Sequence, residues 1–177
     1  MTASGTDTGT LTGAGSALPG NPYARGLDAD RREIWEMLVA RDSDAFAAAD
    51  WGAVAGDFAA DRFEGISANG SADPAAWTLA YPTVDAYRAD WLRQAEEHSR
   101  RPLAGIGHRE VLHRLSALER IELRGDRAIA RKTFRADVPL ADGTRWKVAA
   151  QTIYRLHRLD GRWKIAGFVG YLPLSGG

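Results

Sequence analysis

The chain has 177 residues, 45% of them hydrophobic and 26% charged, with Lys+Arg and Asp+Glu both at 23. Balanced charge argues against a duplex nucleic-acid binder, which needs a basic excess, and the absence of cysteine excludes disulfides, thiolate catalysis and cysteine-ligated metal sites. No apolar run reaches the length of a membrane span, so the sequence reads as a single cytoplasmic domain without a membrane or nucleic-acid partner.

Residues 1–27 are Thr/Gly/Ser-rich and lack the basic start and apolar segment of a secretory signal. They read as a flexible tail, with Tyr23 the side chain suited to dock locally, ahead of a domain over 28–174. A first helix starts near Asp28, with Ile34, Trp35 and Leu38 on one stripe. A second, short helix follows, with Asp50 as its cap and Trp51, Val54 and Phe58 as its apolar face. Residues 62–68 suit a short strand, and a turn-rich loop runs through Trp77. Pro82 and Thr83 open a third helix, on which Val84, Tyr87, Trp91 and Ala95 share a face. From Val111 the period changes to two, and four strands are predicted over 111–124, 127–138, 144–157 and 162–172, separated by glycine-containing turns. Three helices ahead of an antiparallel meander predict an α+β fold, with the helices on one face of a curved four- to six-stranded sheet.

The turns fix a register. A two-residue Gly125-Asp126 loop pairs Arg124 with Arg127 and sets Glu119 opposite Lys132. A three-residue loop with Gly143 in the left-handed position pairs Lys132 with Thr152 and keeps Trp146, Val148 and Ala150 on the core side. The third hairpin is read as pairing Leu156 with Trp163, Tyr154 with Ile165 and Thr152 with Gly167. The concave face is then apolar except for one row: Glu119, Lys132, Thr152 and Gly167, the last leaving space beside a charged pair. Lys132 is one of only three lysines. A cross-strand Glu–Lys pair is also a common structural device. The opposite face reads Leu118, Thr133, Gln151 and Phe168, then Arg120, Arg131, Ile153 and Ala166. Its mixture of apolar side chains and arginine suits a homodimer formed through the outer sheet.

Asp50-Trp51 with Phe58, the Gly125-Asp126-Arg127-Ala128 hairpin and Asp160-Gly161-Arg162-Trp163-Lys164-Ile165-Ala166 carry a resemblance. Over roughly residues 30–172 the chain resembles the nuclear transport factor 2-like superfamily, whose cone-shaped α+β fold includes SnoaL-like polyketide cyclases and ketosteroid isomerase. The resemblance implies a pocket over the polar row and a cofactor-independent acid–base enzyme. That enzyme would be a cyclase, isomerase or dehydratase acting on a hydrophobic small molecule, in secondary metabolism. Lys132 would stabilise an oxyanion, and Glu119 would be the base or orient the lysine. Glu64 lies near the position of ketosteroid isomerase's general base, and His113, Tyr154 and Tyr171 are further donors. Trp77 and Tyr81 suit a lid. Tyr87, Trp91, Phe134, Trp146, Thr152, Gly167 and Tyr171 would line the pocket. No metal site is expected, because the four histidines have no ligand spacing. A non-catalytic ligand-binding module and an accessory subunit of an oxygenase remain as alternatives on the same fold.

Overall fold

The computed structural model describes residues 17–26 and 28–174; the rest of the expected tail lies outside the described residues. Asn21 Nδ2 donates to Glu36 Oε1 at 2.8 Å, and Tyr23 packs against the main core. Helix α1 (Ala29–Trp35) is capped by Asp28, whose side chain accepts from Arg31 N. It runs through a π-helical turn (Glu36–Arg41) into α2 (Asp42–Ala48), which ends where Ala49 turns left-handed. The expected second helix is instead two 3-10 turns, Trp51–Ala53 and Ala55–Asp57. Gly52 and Gly56 weaken a longer helix here, yet Asp50 still caps and Trp51, Val54 and Phe58 are still buried.

β1 (Glu64–Ser67) and β2 (Thr78–Tyr81) precede α3 (Val84–Ser99), capped by Thr83. A fourth helix, α4 (His108–Leu115), replaces the start of the expected strand at 111. Val111, His113 and Leu115 alternate like a strand, but Val111 and Leu115 are also one helical turn apart, and the helix prevails. β3 (Ser116–Arg124), β4 (Arg127–Pro139), β5 (Arg145–Leu159) and β6 (Arg162–Pro173) follow. The sheet order is β2-β1-β6-β5-β4-β3, antiparallel throughout except that β1 runs parallel to β6. The architecture is α+β, with helices packed on a six-stranded mixed sheet. Among the described residues, no helix is long and apolar enough to cross a membrane.

The register follows the turns until bulges intervene. Arg124–Arg127, Leu123–Ala128 and Ile121–Ala130 pair as expected. A bulge between Leu118 and Arg120 then places Leu118, not Glu119, opposite Lys132. One inserted residue sends the following side chain to the other face, so Leu118 is buried inside and Glu119 lies outside. β4 and β5 pair as expected, with Lys132 opposite Thr152 and Val138 opposite Trp146. The third hairpin differs. Asp160 and Gly161 both adopt left-handed φ, closing a two-residue turn that pairs Leu156 with Ile165. A bulge between Arg155 and Leu156 sets Arg155 opposite Gly167 and Tyr154 opposite Phe168, and a second between Gln151 and Ile153 sets Gln151 opposite Leu172. Phe168 and Ala166, expected outside, are buried.

The main core lies between α1, α2, α3 and the sheet, around Leu38, Trp91, Ile121, Leu156 and Trp163. A second cluster, Val111, Leu115, Ala136 and Val138, packs under α4 at the far end of the long strands.

Candidate functional site

Between the two clusters lies a cavity of about 310 Å³, bounded by α2, α3, α4 and the inner faces of β4, β5 and β6. Phe46, Trp91, Leu115, Phe134, Val148, Ala150 and Phe168 make most of its wall apolar. Lys132 reaches it from β4 and is 1% exposed, with Nζ 2.6 Å from the carbonyl oxygen of Leu38 and 2.7 Å from Asp42 Oδ2. A buried ammonium needs both an opposite charge and further acceptors. The π turn supplies Leu38 O, and the first residue of α2 supplies the Asp42 carboxylate. In an unbroken α-helix the Asp42 amide would donate to Leu38 O; here it donates to Val39 O, and Leu38 O accepts from Lys132 Nζ. The Asp42 carboxylate is one-third exposed and itself lines the cavity.

Tyr154 and Tyr87 stand on the same cavity. Burial pushes both phenols well above their ordinary value, and the Asp42 charge pushes in the same direction. Both are therefore neutral hydroxyls, fit to donate rather than to act as bases. At the rim, Gln94 Nε2 donates to Tyr171 Oη at 2.7 Å, and Tyr171 holds a left-handed φ of 57°. At the opposite end, His98 Nε2 donates to the His108 carbonyl at 3.1 Å, and Arg101 lies over the Trp146 ring. Burial lowers the His98 pKa, outweighing that hydrogen bond.

Of the residues expected at the site, Lys132, Tyr154, Tyr87, Trp91, Phe134, Trp146, Thr152 and Tyr171 line this one cavity. The others are placed elsewhere. Glu119 is on the outer face, accepting from Thr133 Oγ1 at 3.1 Å and facing Arg131 Nε at 3.8 Å. Glu64 is exposed on β1, with Oε2 3.7 Å from Arg155 Nη2. His113 belongs to α4 and pairs with Asp44, beside Arg109. Trp77 donates to Ser71 O at 3.1 Å, away from the cavity. Tyr81 lies just outside, donating to Asp90 Oδ2 at 2.6 Å with Tyr171 Oη 3.5 Å away. Gly167 opens no space in the cavity. A Cβ there would meet Glu64 O at 2.5 Å, because the glycine lets β1 approach β6.

Solved structures share this arrangement of helices and sheet. A protein of unknown function from Shewanella oneidensis, titled NTF-2 like, aligns at TM-score 0.51 and 15% identity, over 78% of this chain and 95% of that one. The chain has the nuclear transport factor 2-like fold. A domain of unknown function with a cystatin-like fold from Nostoc punctiforme aligns at TM-score 0.56 and 15% identity, over 85% and 81%. A second Nostoc punctiforme protein of unknown function, also of cystatin-like fold, gives 0.52 and 14%, over 80% and 89%. No protein-family model matches the sequence, and no curated protein does. At such identities the nuclear transport factor 2-like neighbours name an architecture and no reaction.

Asp42 is the site residue that the sequence reading missed. Its signal was present: Ile34, Leu38 and Asp42 are successive i, i+4 positions, so an acid stands where the apolar stripe should continue. Ser116 and Gln94, also on the cavity, carry no comparable signal. Among the described residues no group of three His, Asp or Glu side chains is placed to hold a metal ion.

Proposed function

We propose that this protein takes up a hydrophobic small molecule in the cavity and moves a proton on it by acid–base chemistry without a cofactor, as a cyclase, isomerase or dehydratase does. The carrying observation is the Lys132–Asp42 pair, a buried ammonium bound to a carboxylate on the wall of a mostly apolar cavity. Asp42 takes the role first assigned to Glu119. Its carboxylate removes a proton from the carbon next to a carbonyl, and the electron pair of that C–H bond moves onto the carbonyl oxygen as an enolate. The Tyr154 hydroxyl donates a hydrogen bond to that oxygen. Lys132 is a positioning residue that orients Asp42 through the 2.7 Å contact of its Nζ with Oδ2. The proton returns at another carbon in an isomerisation, or to a departing hydroxyl in a dehydration.

The test needs no known substrate. Bicyclic ketones such as 2-tetralone and 1-indanone are incubated with the protein in D2O, and deuterium beside the carbonyl is read by NMR. Exchange above the buffer rate is expected for the native protein, with loss of about 10²-fold or more in Asp42→Asn. Equal exchange by both proteins would eliminate Asp42 as the base. A non-catalytic binding pocket is the rival reading, favoured by the engagement of Lys132 with both Leu38 O and Asp42. It expects binding of such ketones without exchange. Ile129 and Ile153, exposed among arginines on the outer sheet face, support the further proposal of a homodimer through that face. A role in secondary metabolism rests on the sequence resemblance alone.

A further inference from the structure

The charged groups lining the cavity do not cancel. Lys132 and Asp42 neutralise one another, and Glu97 is taken by Arg93 Nη1 at 2.6 Å. Arg101 is left over. Among the described residues its guanidinium has no hydrogen bond or ion pair, and its Nε is buried without a partner. The residue is not a loose surface arginine. Its amide donates to His98 O at 3.0 Å, and its carbonyl accepts from Leu103 N at 2.8 Å and from His108 Nε2 at 2.9 Å. The guanidinium carbon Cζ lies over the Trp146 ring, 4.3 Å from its centroid. Trp146 in turn packs on His98, whose Nδ1 has no protein partner among the described residues. A planar fork of donors, anchored at its root and stacked on an aromatic face, is preorganised for a carboxylate.

We propose that the Arg101–Trp146–His98 end of the cavity is an anion subsite, and that the ligand is an apolar ring system carrying a carboxylate. This rests on the cavity being the ligand site, as proposed above. The acid group would sit on Arg101, the rings against Phe134, Val148 and Trp91, and the opposite end of the molecule would reach Lys132–Asp42. A carboxylate placed on Arg101 would give its buried Nε an acceptor that a neutral ketone supplies less well, so the subsite would discriminate by charge as well as by shape.

Calorimetric titration with 2-naphthoate and its neutral isostere 2-acetylnaphthalene tests this. The native protein is expected to prefer the acid by about 10-fold or more, the range of a hydrogen bond to a charged group. Arg101→Met keeps the apolar stem on Trp146 and should erase the preference, leaving affinity for the neutral compound within about 2-fold. Arg101→Lys, a charge without the fork, should retain part of it. Ala150→Phe should block both compounds, and competition between them reports a shared site should that variant not fold. If both bind in the cavity with no preference, or with one that Arg101→Met leaves intact, the anion subsite is wrong and the cavity reading survives. If neither binds the native protein, or Ala150→Phe folds and changes nothing, the cavity reading fails and the subsite fails with it.

Discussion

At the scale of single residues, burial decides which groups are informative. His98 is 4% exposed, and its desolvation outweighs the His108 carbonyl in setting its pKa below the ordinary 6.5. Below pH 6.5 the unfolded chain therefore takes up a proton that folded His98 resists. Stability rises with pH wherever the unfolded state binds more protons, so this site removes stability as pH falls from 6.5 through the lowered folded value. His157 has the same sign, from burial and then the neighbouring Arg127 and Arg155. His98→Gln keeps an N–H for the His108 carbonyl and does not titrate. Urea unfolding at several pH values below 6.5 should show a shallower acid loss for the variant, and equal slopes would mean that His98 is charged in the fold or carries no share of that loss. The same scale marks what the sequence disclosed. Lys132 was legible because an isolated lysine on an inward strand position has few structural excuses. Its partner was sought on β3, as Glu119. The bulge at Leu118–Arg120 turns Glu119 outward, and the partner is Asp42, the first residue of helix α2.

Elements were legible where one period ruled and obscure where two competed. The long strands β4 and β5 pair over their whole length as the Gly143 turn dictates, because one buried face penalises any slip. The bulges at Leu118–Arg120 and near Gly167 have no counterpart in periodicity, since a bulge preserves the hydrophobic pattern on either side while changing its phase. Nor does Glu36–Arg41 announce a π turn; its sequence suits an α-helix, and the extra residue is retained where Lys132 binds Leu38 O. Gly167 illustrates the difference between a vacancy and a contact. Read as space for a ligand, it is instead the point where β6 meets the backbone of β1, its absent Cβ lying 2.5 Å from Glu64 O. Because the obstacle is backbone, it cannot swing aside. Gly167→Ala should cost about 1–3 kcal/mol as an overpacking change, whereas Gly56→Ala, with nothing within 4 Å, serves as a near-neutral control. Denaturant unfolding of the pair checks this, and equal midpoints would mean that β1 gives way freely.

Over the whole molecule, the apolar side chains do not form one closed core. Trp91, Tyr154 and Phe168 belong to the larger cluster, and Phe134, Trp146 and Val148 pack on the smaller one; all six face the cavity between them. A chain selected for stability alone would close that gap, since side chains bordering a void lose packing partners. Keeping it open, with a lysine–aspartate pair on its wall, is the arrangement expected where a ligand rather than a side chain completes the interior. Ala150, on β5 in the middle of the cavity wall, tests the balance. Phenylalanine suits a strand and would bridge the two clusters. Ala150→Phe should therefore raise the melting temperature by about 2–4 °C, the shift that 1 kcal/mol gives in a domain of this size, while removing ligand binding. A lower melting temperature with intact binding would locate the ligand elsewhere and return the void to ordinary imperfect packing. Higher stability joined to lost binding would mean that the hollow is maintained against the folding free energy, as a site is and a packing defect is not.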